Sequence, residues 1–141
     1  MGDIPLDIYG RLHELAVDLA NAAMADDDLL YEKHYKALTQ YCQSQVELGH
    51  AHAYLFETLA DFTRDVSQSL EFYRQALVLA KASGEPIHTI LVAMGEHLRD
   101  LGRVEQAEAH LEEGKTEAAR LNDTVTLVNA ERLLKELRRP G

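Results

Sequence analysis

The chain is poor in the residues that cross-link or interrupt a fold. Of its 141 residues one is Cys, three are Pro and none is Trp, and aromatics make up 6%. Cys42 has no second cysteine with which to close an internal disulfide, so the fold is not a disulfide scaffold. It lies in a helical pattern with Leu38, Tyr41 and Val46, with no basic residue near it in sequence to favour a thiolate, and reads as a buried structural thiol.

Cations are scarce as well: 14 Lys and Arg stand against 24 Asp and Glu, a formal net charge of −10. A sequence-independent grip on nucleic acid needs Lys and Arg to displace phosphate counterions, so that class of partner is excluded. An anionic membrane surface is disfavoured for the same reason. No apolar run approaches the roughly 18 residues of a membrane span, and Met1-Gly2-Asp3-Ile4-Pro5 offers neither the basic region nor the apolar stretch of a signal peptide. Leu6 stands where an N-myristoylation pattern needs Ser or Thr. The expected compartment is the cytoplasm.

Motifs that carry chemistry are missing too. There is no Gly-x-Gly-x-x-Gly or Gly-Lys-Ser/Thr stretch to cradle phosphate, and no Gly-x-Ser-x-Gly nucleophile elbow. Among the seven histidines, His50 and His52 are two apart and point in different directions on a helix, whereas ligands on one face need a spacing of three or four. His88, His97 and His110 are scattered and read as solvated or capping. Asp26-Asp27-Asp28 lacks the alternate-position ligands, central Gly and terminal Glu of a calcium loop and reads as a helix junction. No metal or cofactor is expected. An enzyme remains a lesser reading, and its mark would be a deep pocket enclosing a strongly shifted carboxylate or histidine.

What the chain does have is Leu and Ala: 22 and 18 residues, more than a quarter of the total, both strong helix formers. Apolar residues recur at helical spacing throughout, with no sustained alternation of period two, so the fold class is all-α. Seven helices are expected. The first runs from about Pro5 to Ala25 on Leu12, Leu15, Leu19 and Ala23, and the aspartates at 26–28 end it and cap the second. The second uses Tyr31, Tyr35, Leu38, Cys42 and Val46 and stops at Gly49. The third uses Leu55, Phe56, Leu59 and Ala60 and breaks at Thr63-Arg64-Asp65. The fourth runs through Val66, Ser69, Leu70, Tyr73, Ala76 and Ala80 to Ser83-Gly84, and Pro86 is placed in the first turn of the fifth. The fifth carries Ile87, Ile90, Leu91, Met94, Leu98 and Leu101. After Gly102 the sixth carries Val104, Ala107, Leu111, Gly114, Ala118 and Leu121. Asn122-Asp123 caps a seventh with Leu127, Ala130, Leu134 and Leu137.

The fourth and sixth patterns superpose at an offset of 38 residues, pairing Val66 with Val104, Ser69 with Ala107, Tyr73 with Leu111 and Ala76 with Gly114. Small residues fall where two helices must approach closely, and a large apolar residue falls between them. On these residues the segment from His88 to Leu121 resembles a tetratricopeptide repeat, a helix-turn-helix unit. Leu91, Met94, Gly95 and Leu98 stand at first-helix positions of that family, and Ala107, Leu111 and Gly114 at second-helix positions; Ala119 stands where the family often has Pro. The unit from His50 to Glu85 is a weaker match, with Ser69, Tyr73 and Ala76 in place but Glu57 where Gly95 stands in the next unit. The longer period is similar to that of arrays in some bacterial regulators.

The resemblance implies one domain over 1–141: a right-handed superhelical α-α solenoid of about three hairpins plus a capping helix. Residues 1–49 would form a divergent hairpin, 50–121 two repeats and 122–138 the cap. It also implies a non-enzymatic module, an adaptor or scaffold presenting a concave groove to a protein or peptide. The first helix of each unit lines such a groove. Its non-core stripe on the fifth helix is Thr89, Val92, Glu96, Arg99 and Arg103, and on the third it is Tyr54, Glu57 or Thr58, and Asp61. Tyr54 is the expected anchor, because aromatics dominate interface energetics. The carboxylate clamp of the chaperone-binding members needs Lys and Asn where this chain has Val92 and Glu96, so that use is excluded.

Residues 1–65 hold 12 acidic and 4 basic groups, so the acid is concentrated in the first half and would steer a basic partner there. Two narrower functions fit the same features: an acidic inhibitor or immunity-type protein that neutralises a basic effector, and a peptide-sensing regulator. A homodimer is also open, since a short array leaves an apolar end that a second copy could cover.

Overall fold

A computed structural model gives the architecture and describes residues 6–139. Every regular element among them is an α-helix: α1 Leu6–Met24, α2 Asp28–Glu47, α3 Ala53–Phe62, α4 Val66–Ser83, α5 His88–Asp100, α6 Val104–Arg120 and α7 Thr124–Leu137. None of these helices is long and apolar enough to cross a membrane. The readings of residues 1–5, including a start at Pro5, lie outside the described residues.

The expected punctuation sets most of these boundaries. Asp27, Asp65 and Asp123 cap α2, α4 and α7, their side chains accepting from the backbone N–H of Leu30 at 3.0 Å, Gln68 at 2.9 Å and Thr126 at 3.1 Å. α4 ends at Gly84 in the left-handed region, φ 74°, which lets Glu85 N–H reach back to the Ala80 carbonyl at 2.9 Å. Pro86 differs from expectation. The first helical bond of α5 runs from Leu91 N–H to the Ile87 carbonyl, so Ile87 is the cap residue and Pro86 precedes the helix instead of opening it.

Each helix packs on its neighbours in sequence, and α1 also touches α3, as α5 touches α7. Three apolar clusters follow in the same order. Ile8, Leu12, Leu15, Leu19 and Leu38 lie in the first, Leu70, Tyr73, Ile90, Met94 and Leu98 in the second, and Val92, Leu111, Leu133 and Leu134 in the third. Phe56 and Phe72 lie against both the first and the second, and Leu137 bridges the second and third.

α2, α4 and α6 begin 38 residues apart, at Asp28, Val66 and Val104. Their buried residues keep that register: Tyr31, Ser69 and Ala107; Leu38, Ala76 and Gly114; Cys42, Ala80 and Ala118. The residues are smallest in α6, and there the space beside the glycines is filled by the facing helix. A Cβ on Gly95 would lie 2.5 Å from Leu111 Cγ, and one on Gly114 would lie 2.8 Å from Val92 Cγ2. Gly95 and Gly114 thus each receive a side chain of the other helix of the hairpin. Cys42 is 1% exposed and its thiol is pushed up to about 12 by burial, as suits a structural thiol. Val46, Leu101, Val104 and Leu121, expected in the apolar stripes, lie at or next to helix ends and keep 36–47% of their surface exposed.

Candidate functional site

α1, α3, α5 and α7 are laced together by side chains. Tyr9 of α1 stacks on Tyr54 of α3 with ring centroids 5.1 Å apart and planes 21° from parallel. Thr89 Oγ1 of α5 donates to Glu57 Oε2 of α3 at 2.8 Å. Arg99 of α5 reaches Glu136 of α7 at 2.5 Å. Two even-numbered helices are tied by cations from outside their series: Arg64 of the α3–α4 loop lies over the Tyr31 ring of α2 at 3.8 Å and pairs with Asp28, while Arg138, just past α7, pairs with Glu108 and Glu112 of α6.

Polar groups gather at the middle of the odd-helix series. The Tyr73 hydroxyl donates a short hydrogen bond to Asp61 Oδ1, which lies one helical turn past Glu57. His97 stands edge-on to the Tyr73 ring at 5.2 Å, with Nε2 3.0 Å from Ser69 Oγ and Nδ1 2.8 Å from the Ala93 carbonyl. Ser69 Oγ, fully buried, donates to the Ala60 carbonyl at 2.7 Å. Asp61 keeps part of its surface in water, yet the atoms packed around it remove enough solvent to raise its carboxyl above the usual range; Tyr73 and His97 oppose that shift without cancelling it. The Glu57 carboxyl is raised for the same reason, against the hydrogen bond from Thr89. Burial and the Asp61 carboxylate push the Tyr73 phenol up.

A carboxyl whose pKa is raised by folding favours the folded state fully below its unfolded value, and that advantage is lost as pH rises through the folded value. Glu57→Gln/Asp61→Asn should therefore be at least as stable as the natural chain at pH 7. It should also lack the natural chain's gain in stability as the pH falls toward 4. Urea unfolding at several pH values checks this; a double variant less stable at pH 7 would show that the two charges hold the helices together.

The expected groove residues are only partly brought together. Tyr54, Asp61, Thr89, Glu96 and Arg99 lie along this series. Thr58 does not: it is 4% exposed and its hydroxyl donates to the Tyr54 carbonyl at 2.8 Å, so Glu57 takes the outward place. Val92 is a second correction. It is 3% exposed and lies in the third cluster, because α6 and α7 both cover that side of α5. Arg103 is a third: Gly102, with φ 76°, breaks the helix, so Arg103 precedes α6 and does not continue the stripe from Arg99. Arg99 itself is held by Glu136, Asp100 and Glu96.

Of the histidines expected to be solvated or capping, His88 and His97 are tied into the fold. His88 is 8% exposed, with Nε2 2.9 Å from Asp123 Oδ2 and Nδ1 without a hydrogen-bond partner among the described residues. His52 caps α3 and its Nε2 lies 3.2 Å from Glu85. Each joins the start of a helix hairpin, α3–α4 or α5–α6, to a residue just past the end of that same hairpin. The Asp123 carboxyl is held below its usual range by Thr126 and then by His88. Among the described residues no three His, Cys, Asp or Glu side chains form a metal-binding group. Sequence reasoning missed Tyr9, whose signal is a second apolar stripe on α1, and His97, whose signal is Ser69 at a position that is otherwise only small.

No protein-family model and no curated protein matches this chain.

Proposed function

We propose that the chain is a tetratricopeptide-like array of three helix hairpins closed by α7, a right-handed solenoid that works as a non-enzymatic protein-interaction module in the cytoplasm. The 38-residue register of α2, α4 and α6 supports the repeat and extends it to the first hairpin, where Tyr31, Leu38 and Cys42 hold the places of smaller residues further on. In such an array each unit is stabilised by its neighbours, and the first helices of the units form a continuous binding surface.

The observation that carries the functional reading is the lacing of α1, α3, α5 and α7 by side chains, with the partly exposed carboxylates of Glu57 and Asp61, both raised by the atoms packed around them, at its middle. Perturbed groups of this kind concentrate at functional sites. Asp61 and Thr89 are open to water, which supports docking of a macromolecule over enclosure of a small substrate. A preformed face needs little ordering on binding. The same carboxylates favour a basic partner, and with it the narrower reading of an acidic inhibitor of a basic effector.

Capture of proteins on the immobilised chain tests the face. Glu57→Lys/Asp61→Lys should abolish retention of a partner that the natural chain holds, whereas Glu105→Lys/Glu113→Lys, at exposed positions of α6, should keep it. Retention by the first variant, or loss only with the second, would place the binding surface elsewhere.

A further inference from the structure

Glu57 and Asp61 are only half of what the face presents. α1 carries two apolar stripes. One, Ile8, Leu12, Leu15, Leu19 and Ala22, is buried. The other, Leu6, Tyr9, Val17 and Ala20 with the polar His13 set among them, follows the same spacing of three and four residues on another side of the helix and is exposed, Leu6 by 88% and Tyr9 by 46%. The charged residues of α1, Asp7, Arg11, Glu14 and Asp18, occupy the remaining sector, so the exposed stripe is not a solvated polar face. Tyr9 joins this stripe to Tyr54 by ring stacking. On α3, Glu57 and Asp61 follow Tyr54 at i+3 and i+7, about 5 and 10 Å further along the helix. Of the basic side chains of α5, Arg99 is already matched by Glu136, Asp100 and Glu96, while His88 acts on Glu57 and His97 on Asp61 without cancelling the effect of burial on either carboxyl.

We propose that this face recognises a basic amphipathic helical segment of a partner protein by two points: a large apolar side chain seated on Leu6, Tyr9 and Tyr54, and an Arg or Lys about one helical turn away held by Glu57 and Asp61. This rests on the odd-helix face being the binding surface, and adds the chemistry and spacing of what it takes. The apolar seat supplies area to be desolvated, and the carboxylates, with solvent already partly removed, give a cation more than a fully hydrated carboxylate would. An acidic or purely apolar segment satisfies one point and is repelled or unpaired at the other. Specificity then comes from the separation of the two points.

Fluorescence anisotropy with labelled Ala-rich helical peptides tests it. One probe carries two Phe–Arg pairs at i, i+4 on one face; a second has the same composition with Phe and Arg on opposite faces. The first should bind the natural chain at least about tenfold more tightly than the second, a difference of about 1.4 kcal/mol. Glu57→Gln/Asp61→Asn should lose about tenfold, Leu6→Ser a few-fold at an exposed position that does not disturb the core, and Glu105→Gln/Glu113→Gln less than about twofold. Equal binding of both probes, or equal loss with the α6 variant, would reduce the effect to net charge and overturn the proposal. Failure of both probes while the Lys variant at 57 and 61 still abolishes capture of a natural partner would overturn only the chemistry assigned here. Survival of that capture would overturn the face itself.

Discussion

Leu111→Ala should destabilise the protein by about 2–5 kcal/mol, and the same substitution should remove most of the cost of adding a methyl group at Gly95. Leu111 is fully buried within the third cluster, against Gly95 of α5, so truncation leaves a cavity between the two helices. Gly95→Ala in the natural chain places a Cβ 2.5 Å from Leu111 Cγ and 2.6 Å from Cδ2, closer than such atoms can approach. Separating the helices or turning Leu111 out of its rotamer should cost about 1–3 kcal/mol, more than the roughly 1 kcal/mol by which Ala improves on Gly in a helix. With Ala at 111 the two closest atoms are gone and only the Ala107 carbonyl oxygen, at 3.3 Å, still opposes the new Cβ, so Gly95→Ala should then cost far less than in the natural chain. Urea denaturation of the four members of the cycle checks this, with an expected coupling of about 1–3 kcal/mol. Additive effects would mean that α5 and α6 are not held at this distance by the Gly95–Leu111 contact.

Leu133→Ala in α7 should cost about 2–5 kcal/mol as well, though with a different distribution through the molecule. Leu133 is fully buried with Val92, Leu111, Ala130 and Leu134, the cluster that docks α7 on α5 and α6. None of the first cluster, formed by α1, α2 and α3, touches it directly. If stability is a sum of local units and neighbour contacts, the loss falls on α5–α7 and reaches α1–α2 only through α3 and α4. Thermal unfolding followed by circular dichroism should broaden, because the C-terminal end melts before the rest. A transition as sharp as that of the natural chain, only shifted to lower temperature, would indicate a single cooperative core.

Much of the fold was legible because its punctuation is local. An aspartate at 27, 65 or 123 acts on backbone groups two or three residues away, and Gly84 acts on its own φ, so no tertiary knowledge is needed. The buried small residues of α4 and α6 were legible for a related reason: they repeat. Val92 and His88 were not, because a helical-wheel argument assigns one core face to a helix, whereas α5 is covered by α4, α6 and α7 and buries residues on several sides. Arg103 was misplaced because i, i+4 spacing continues on paper past a glycine that ends the helix in fact. At positions 57 and 58 the choice was decided by a hydrogen bond: the Thr58 hydroxyl can turn back to the Tyr54 carbonyl and be buried, whereas a glutamate there would leave a buried charge. The pairing of Tyr9 with Tyr54 spans two helices and has no sequence-local signature.

The claim on which the rest depends is that the hairpins form a line, each held by its neighbours, so that α1, α3, α5 and α7 make one preformed face. Native-state amide hydrogen exchange on the natural chain and on Leu133→Ala tests this most directly. The substitution should strip protection from α6 and α7 first, lower that of α5 in part and leave the amides around Leu12, Leu15 and Leu38 near their original protection. Equal loss of protection in α1–α2 and α6–α7 would contradict it and describe a bundle around one common core.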